Sequence, residues 1–453
     1  MSEINSAQTP ASEEISGILA PSMRFALFGA ALIAISFGLA RFAFGLFVPA
    51  IRDDLGLDPR WVGLIGALPL VSFVLASLVA PELAHRLGAR NATVLASCFA
   101  VVGLGLISQA ANVFLLAGGV FTCGISTGLM MPALTAAMQA LVDRSVHGRV
   151  SSVMNAGTSI GVAVAVPMAL FLAGVWRGAY LSFAVLAALG LAAAFYFIPA
   201  VSRVLPGDAA PPPPINLTQS WRLLWLSIFA FAMGFISSAF WVFAPDLAVT
   251  LGGLSASQTA WLWLGVGIAG LGGAAITDLA DRNNPPIMHA LMLVMLSASL
   301  VLLAASPGQI AIAVFSALIF GLAYMSLTGL YLLTGIRLLP GRLSFGPVLP
   351  FLACALGQAV GSPLIGLLVG RLGHADAFST FAALGIVVAL LSPLYPRYLD
   401  AEVSEEQQAE QDNLTGMQAA YDYQLLNEEG EPIHFDSPDE QVIEEAEDEK
   451  HVE

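Results

Sequence analysis

Few side chains in this chain can do charged chemistry away from water, and Arg41 is the most deeply placed of them. It lies inside the first long apolar run, residues 25–50, about 25 Å along a helix from Arg24 at ~1.5 Å per residue. A guanidinium at that depth in a hydrocarbon layer costs ~2.5–3.5 kcal/mol even on a lenient insertion scale, so it needs a wet cavity or a partner. Its planar fork grips a carboxylate or phosphate through two parallel hydrogen bonds. No Asp or Glu lies deep in any apolar run to neutralise it. That absence favours an anion-binding residue over a structural arginine bonded to carbonyls or reaching out to the interface. Asp246, beside Pro245, is the next candidate: a gate partner for Arg41 or Arg52, a proton carrier, or a solvated helix-end carboxylate. Asn155, Gln139 and Gln358 can hydrogen-bond a ligand or join helices. Trp241, Tyr324 and Tyr331 add polar-tipped aromatic surface.

The elements that must position these residues are membrane spans. The 453 residues are 57% hydrophobic, above the ~45–50% of soluble domains. Mean hydropathy is +0.80. Apolar runs fall at about 25–50, 61–81, 92–111, 113–138, 151–174, 178–199, 222–245, 259–278, 287–305, 309–333, 346–370 and 376–396, each near the ~20 residues a crossing needs. The expected fold is therefore all-α, with twelve transmembrane helices. The lipid bilayer is then an obligatory partner.

An internal repeat divides the runs six and six. An offset of 196 pairs Gly38 with Gly234, Phe44 with Phe240, Phe47 with Phe243, Pro49 with Pro245, Gly56 with Gly252 and Arg86 with Arg282. At the same offset Arg41 meets Ser237, so the copies differ at the deep charge. The expected organisation is a polar N-terminus at 1–23, a first half at 24–200, a Pro-rich linker at 201–220, a second half at 221–398 and an acidic tail from 399. Residues 400–453 hold 19 of the 32 acids and one base, Lys450, a charge of −18; the remaining 16 arginines and 13 acids leave the body at +3. Such a tail is expected to be disordered, with Met417–Asn427 as a segment able to dock on a protein partner. With the N-terminus inside, eleven arginines fall in cytoplasmic segments and four in outer loops, which puts both termini in the cytoplasm of a plasma (bacterial inner) membrane. Nothing resembles a nucleic-acid footprint. Cys98, Cys123 and Cys354 sit in apolar runs and read as core residues, and no metal, cofactor or enzymatic constellation is expected.

Twelve runs, the repeat and the central Pro211–Pro214 connector resemble the major facilitator superfamily. PELAHRLGAR, residues 81–90, falls between runs two and three, where that family's loop motif G-x-L-A-D-R-x-G-R-R belongs; Pro81 replaces its Gly and His85 its Asp. TDLADRN, residues 277–283, is the second copy. The resemblance implies a cytoplasmic gate built by Glu82, His85, Arg86 and Arg90 with Asp278, Asp281 and Arg282. Trp176–Arg177 and the Arg-Phe of run one also resemble members of the family; an Arg in run four and a Gly-Pro pair in run five are missing. By the family arrangement, runs one, four, seven and ten line a central cavity, which makes Arg41, Phe44, Met130, Trp241 and Tyr324 wall residues.

The reading is a monomeric secondary transporter working by alternating access, moving a small-molecule substrate, in the first instance a small organic anion bound at Arg41. Two alternatives stand beside it: hydrophobic drug efflux, with Arg41 structural, and a transporter-like sensor or scaffold acting through the acidic tail. Cytoplasmic reporters fused after Ala200 and after Tyr398 should both be active; a periplasmic signal at either point contradicts the topology.

Overall fold

In the computed structural model the described residues are 10–143, 146–172, 175–199, 215–273, 284–339 and 348–396. All regular structure in them is helical. The first helix starts at Pro10, earlier than the polar composition of residues 1–23 suggested. Proline suits a first helical position, where no N–H partner is lost. This helix, α1 (Pro10–Ile33), continues through a π-helical stretch (Ala34–Phe42) into α2 (Ala43–Leu55), which ends on left-handed Gly56.

The next helix, α3 (Pro59–Ser108), contains 50 residues, about 75 Å at ~1.5 Å each, more than twice a ~30 Å hydrocarbon core. It is two crossings joined at Gly88, whose φ of 78° and ψ of 159° lie outside helical space and require glycine. The chain continues through α4 (Val113–Leu141), α5 (His147–Phe171), α6 (Trp176–Phe197), α7 (Leu217–Thr250), α8 (Ala256–Leu271), α9 (Pro285–Ala305), α10 (Ile310–Leu338), α11 (Val348–Leu372) and α12 (His374–Leu390). Among the described residues nine helices are long and apolar enough to cross a membrane. Among the described residues, each of the twelve apolar runs overlaps helix when the two legs of α3 are taken separately. Within the described residues, α8 and α12 are shorter than a straight crossing requires, at 16 and 17 residues. Of the Pro-rich linker expected at 201–220, residues 201–214 lie outside the described residues and the last ones, from Leu217, already belong to α7; the second gate motif at 277–283 and the acidic tail also lie outside.

Helix pairing repeats with the sequence. In the first half α1 and its π stretch pack on α5, the first leg of α3 on α4, and α3 on α6; in the second, α7 packs on α11, α8 on α10, and α9 on α12. The halves meet where α5 touches α8 and where α11 touches α3, contacts that the repeat relates to each other.

Glycines set the closest approaches. A Cβ on Gly161 would lie 2.3 Å from the Ala34 carbonyl oxygen, and one on Gly38 would lie 2.4 Å from Gly161 Cα, so α5 and the π stretch touch backbone to backbone. The repeat counterpart, Gly234 against Cys354, is equally tight at 2.0 Å. Gly161→Val should destabilise the protein by about 1–3 kcal/mol or more. Gly118→Val, where a Cβ meets nothing within 4 Å, is the matched control and should cost far less. Melting of the purified variants checks this; equal losses would contradict the packing.

Candidate functional site

The site forms where the π stretch ends. Ala43 N–H donates to the Gly38 carbonyl five residues back, which widens the helix, and Ala34–Phe42 contains no proline to cause it. Tertiary partners hold the wide turns instead. Thr127 Oγ1 of α4 donates to the Ser36 carbonyl at 2.9 Å, and Trp263 Nε1 of α8 donates to the Phe42 carbonyl at 3.1 Å. Carbonyls displaced from a helix inside a membrane need such donors, because no bulk water can serve them. Short π-helical segments often mark functional positions, and this one delivers Arg41 to the centre of the bundle.

Arg41 is buried, with 6% of its surface exposed. Its Nη2 donates to Gln358 Oε1 of α11 at 2.9 Å, a bond from one half to the other. Gln358 Nε2 donates in turn to Tyr324 Oη at 3.0 Å and to Ser237 Oγ at 3.4 Å. The Arg41 guanidinium carbon lies 4.9 Å from the ring centres of both Phe42 and Phe73, a cation–π arrangement that shields it without using its N–H groups. Its Nε and Nη1 are buried without a hydrogen-bond partner. So is Nε1 of Trp241, which stacks 4.3 Å from Phe42 and meets Tyr324 edge-on at 5.2 Å.

These groups border a cavity of about 30 Å³ between the halves, lined by Arg41, Phe44, Leu70, Trp241, Val242 and Gln358 among others. That volume admits about one water. Toward the Gly56 face the halves touch directly: a Cβ on Gly45 would fall 1.8 Å from the Trp241 carbonyl oxygen, and one on Gly63 would fall 2.3 Å from that of Ser362. Toward the Gly88 face, Phe73 meets Phe351 of α11 at 5.6 Å and Phe37 at 6.4 Å, an aromatic floor under the guanidinium.

Of the seven residues expected at a binding site, Arg41, Phe44, Trp241 and Gln358 line this cavity, and Tyr324 stands directly behind it. Met130 is buried elsewhere in the core, and Asn155 is exposed on α5; neither lines the cavity. Glu82 accepts from Arg86 four residues on along α3, and that guanidinium holds the Glu82 carboxyl below the usual carboxylate range. His85 is exposed, and Arg90 lies 4.2 Å over the Phe195 ring. Asp278, Asp281 and Arg282, expected as their second-half partners, lie outside the described residues.

Asp246 is almost fully buried at the Gly56 end of α7. Its Oδ2 accepts from Arg52 Nη1 at 2.6 Å and from His374 Nε2 at 2.7 Å. Of the two partners considered for it in the sequence, the structure brings Arg52 and leaves Arg41 on Gln358. His374 was not apparent from the sequence, where it is one polar residue at the edge of an apolar run. The first half carries a comparable tie, though the offset of 196 does not align its residues with this one. Arg177 at the start of α6 pairs with Asp54 at the end of α2 at 2.7 Å, and His374 at the start of α12 meets Asp246 near the end of α7 at 2.7 Å. Only the second tie also reaches across the halves, through Arg52.

A helical multi-pass bundle with a buried polar site between its N-terminal and C-terminal helices defines the architectural class. The Major Facilitator Superfamily profile matches residues 30–345, and the chain belongs to that family. It is 27% identical over 358 residues to the Transcription regulatory protein OpdE of Pseudomonas aeruginosa, covering 77% of this chain and 87% of that one. It is 29% identical over 164 residues to the Uncharacterized transporter YycB of Bacillus subtilis, covering 35% and 41%. Similar solved structures include a D-xylose–proton symporter, with a TM-score of 0.67, 15% identity and coverage of 83% and 98%. A POT family transporter in complex with 5-aminolevulinic acid has a TM-score of 0.66, 14% identity and coverage of 83% and 96%.

If the Arg52–Asp246–His374 cluster holds the Gly56 face closed, Asp246→Asn should open it. In a background with Cys98, Cys123 and Cys354 replaced, a cysteine at Ser238 should react faster with a membrane-impermeant thiol reagent added from that face. Arg52→Gln should have a similar effect, and the double variant little more, because the two share one interaction. Unchanged labelling in Asp246→Asn would remove the cluster from gating.

Proposed function

We propose that the protein is a secondary transporter that binds a small organic anion at Arg41 and moves it by alternating access of the two halves around that site. The observation that carries this reading is the half-used guanidinium: a buried cation with one hydrogen bond and two nitrogens without a partner, in a residue that lines a cavity between the halves. A buried donor without a partner costs ~1–3 kcal/mol. A carboxylate arriving there gains charge-assisted bonds and removes that cost. The sealed Gly56 face and the water-sized cavity describe a closed conformation in which the halves must separate to admit a substrate.

The arginine count supports the Gly88 face as cytoplasmic, with both termini inside, in the inner membrane. Asp246, held by one base from each half, is then part of an outer gate and the candidate for proton coupling. The gate at the other face would involve Glu82, His85, Arg86 and Arg90. A protein partner for the acidic tail remains part of the proposal through Met417–Asn427.

A second reading has its own support. The relative named a transcription regulatory protein aligns with most of this chain, which favours a core that senses a ligand and passes the signal on without transport. Ligand-dependent counterflow in proteoliposomes separates the two: a transporter exchanges labelled ligand across the membrane, and a sensor binds it without exchange.

Arg41→Gln should weaken anion binding by at least ~2 kcal/mol, about thirtyfold. Arg41→Lys should retain part of it, because a point charge cannot reproduce a bidentate contact. Equilibrium titration of folded variants against carboxylates checks this. Equal affinity in Arg41→Gln and wild type would end the anion reading and leave hydrophobic efflux in front.

A further inference from the structure

We infer that the anion is a monocarboxylate with an apolar body and no ammonium group, held jointly by the Arg41 guanidinium and the Trp241 indole N–H. The inference rests on the anion reading above and narrows it. Its basis is the inventory of donors and acceptors around the cavity. Arg41 Nε, Arg41 Nη1 and Trp241 Nε1 are buried and without partners, and all three can only donate. Both side chains are 6% exposed and both line the cavity. Gln358 is already engaged: its carbonyl oxygen accepts from Arg41, and its amide donates to Tyr324 and Ser237. The Ser238 and Ser362 hydroxyl hydrogens are given to the carbonyls of Phe235 and Gln358.

The balance is one positive charge and three unmatched donor nitrogens, with no carboxylate side chain among the described residues that line the cavity. A single carboxylate supplies the matching charge and acceptor oxygens. An amino acid would place its ammonium beside Arg41 with no acid to receive it; Asp246, the nearby acid on α7, is held by Arg52 and His374. A dicarboxylate would leave its second charge unpaired in an apolar wall, because Arg52 is committed to Asp246. That wall, formed by Phe42, Phe44, Leu70 and Val242 with the Trp241 ring, suits an apolar body.

The two donors also come from opposite halves. Arg41 stands at the end of the π stretch in the first half and Trp241 on α7 in the second. One carboxylate bonded to both links the halves, so binding favours the closed arrangement. Trp241 is therefore a specificity-determining residue and a coupling contact, distinct from the aromatic packing it shares with Phe42 and Tyr324.

The test is equilibrium titration of the purified full-length protein with 3-phenylpropanoate, hexanoate, phenylalanine, phenylsuccinate and sulfate. The two monocarboxylates should bind at least tenfold more tightly than the zwitterion and the dicarboxylate. Trp241→Phe, which keeps the ring stacking and removes the N–H, should weaken monocarboxylate binding roughly tenfold to a hundredfold. Its unliganded melting temperature should stay near wild type. Equal affinity for phenylalanine and 3-phenylpropanoate, unchanged binding in Trp241→Phe, or no binding of either monocarboxylate would overturn the inference. The broader reading is judged separately: sulfate or phenylsuccinate binding that disappears in Arg41→Gln would sustain an anion site of a different class.

Discussion

The structure depends on how one buried cation is accommodated. Arg41 is buried within a helix long and apolar enough to cross a membrane, where a full set of hydrogen bonds is the ordinary condition for tolerating a charge. It has one bond to Gln358 and two aromatic faces, and two of its nitrogens are unmatched. A purely structural arginine would gain from completing that set with carbonyls, and the neighbouring carbonyls are instead taken by Thr127 and Trp263. The residue that carries the unmatched groups lines the cavity at the seam between the halves. A ligand with matching charge therefore changes the energy of the seam directly, and alternating access needs that coupling between binding and closure.

The repeat supplies the frame and its broken symmetry supplies the site. Equivalent helix pairs pack in the two halves, and equivalent glycines set their closest approaches. Arg41 and Ser237 occupy the same repeat position, and Gln358 hydrogen-bonds to both. The charged member of the pair binds the amide oxygen and the neutral member accepts from the amide nitrogen. A pseudo-twofold scaffold thus presents a one-sided charge. The Gly56 face shows the same pattern: Asp54–Arg177 stays within one half, and Asp246–His374 recruits Arg52 from the other.

Much of this was legible in the sequence because membrane insertion makes single residues informative. One arginine in an apolar run, no deep carboxylate and an offset of 196 gave the fold, the helix runs and the centre of the candidate site. Other features were not legible, for physical reasons. A helix that is apolar all round carries little periodic signal to show which face is inward, so Met130, expected on the wall, lies in the core, and Asn155, expected to bond a ligand or join helices, is exposed. The π stretch has no local breaker; contacts from α4, α5 and α8 impose it. His374 is placed by the turn at Gly373, whose positive φ of 85° reverses the chain toward Asp246.

The most direct test of the central claim is the unliganded melting temperature of Arg41→Met in a lipid nanodisc. Methionine keeps much of the side-chain length and removes the charge. If Arg41 is an incompletely satisfied cation held in readiness for an anion, its removal should raise the melting temperature above wild type, as replacement of buried charge by a packed apolar group often does. Added carboxylate should then produce no further shift. A melting temperature below wild type by several degrees would show that Arg41 is a structural tie, and would contradict the account.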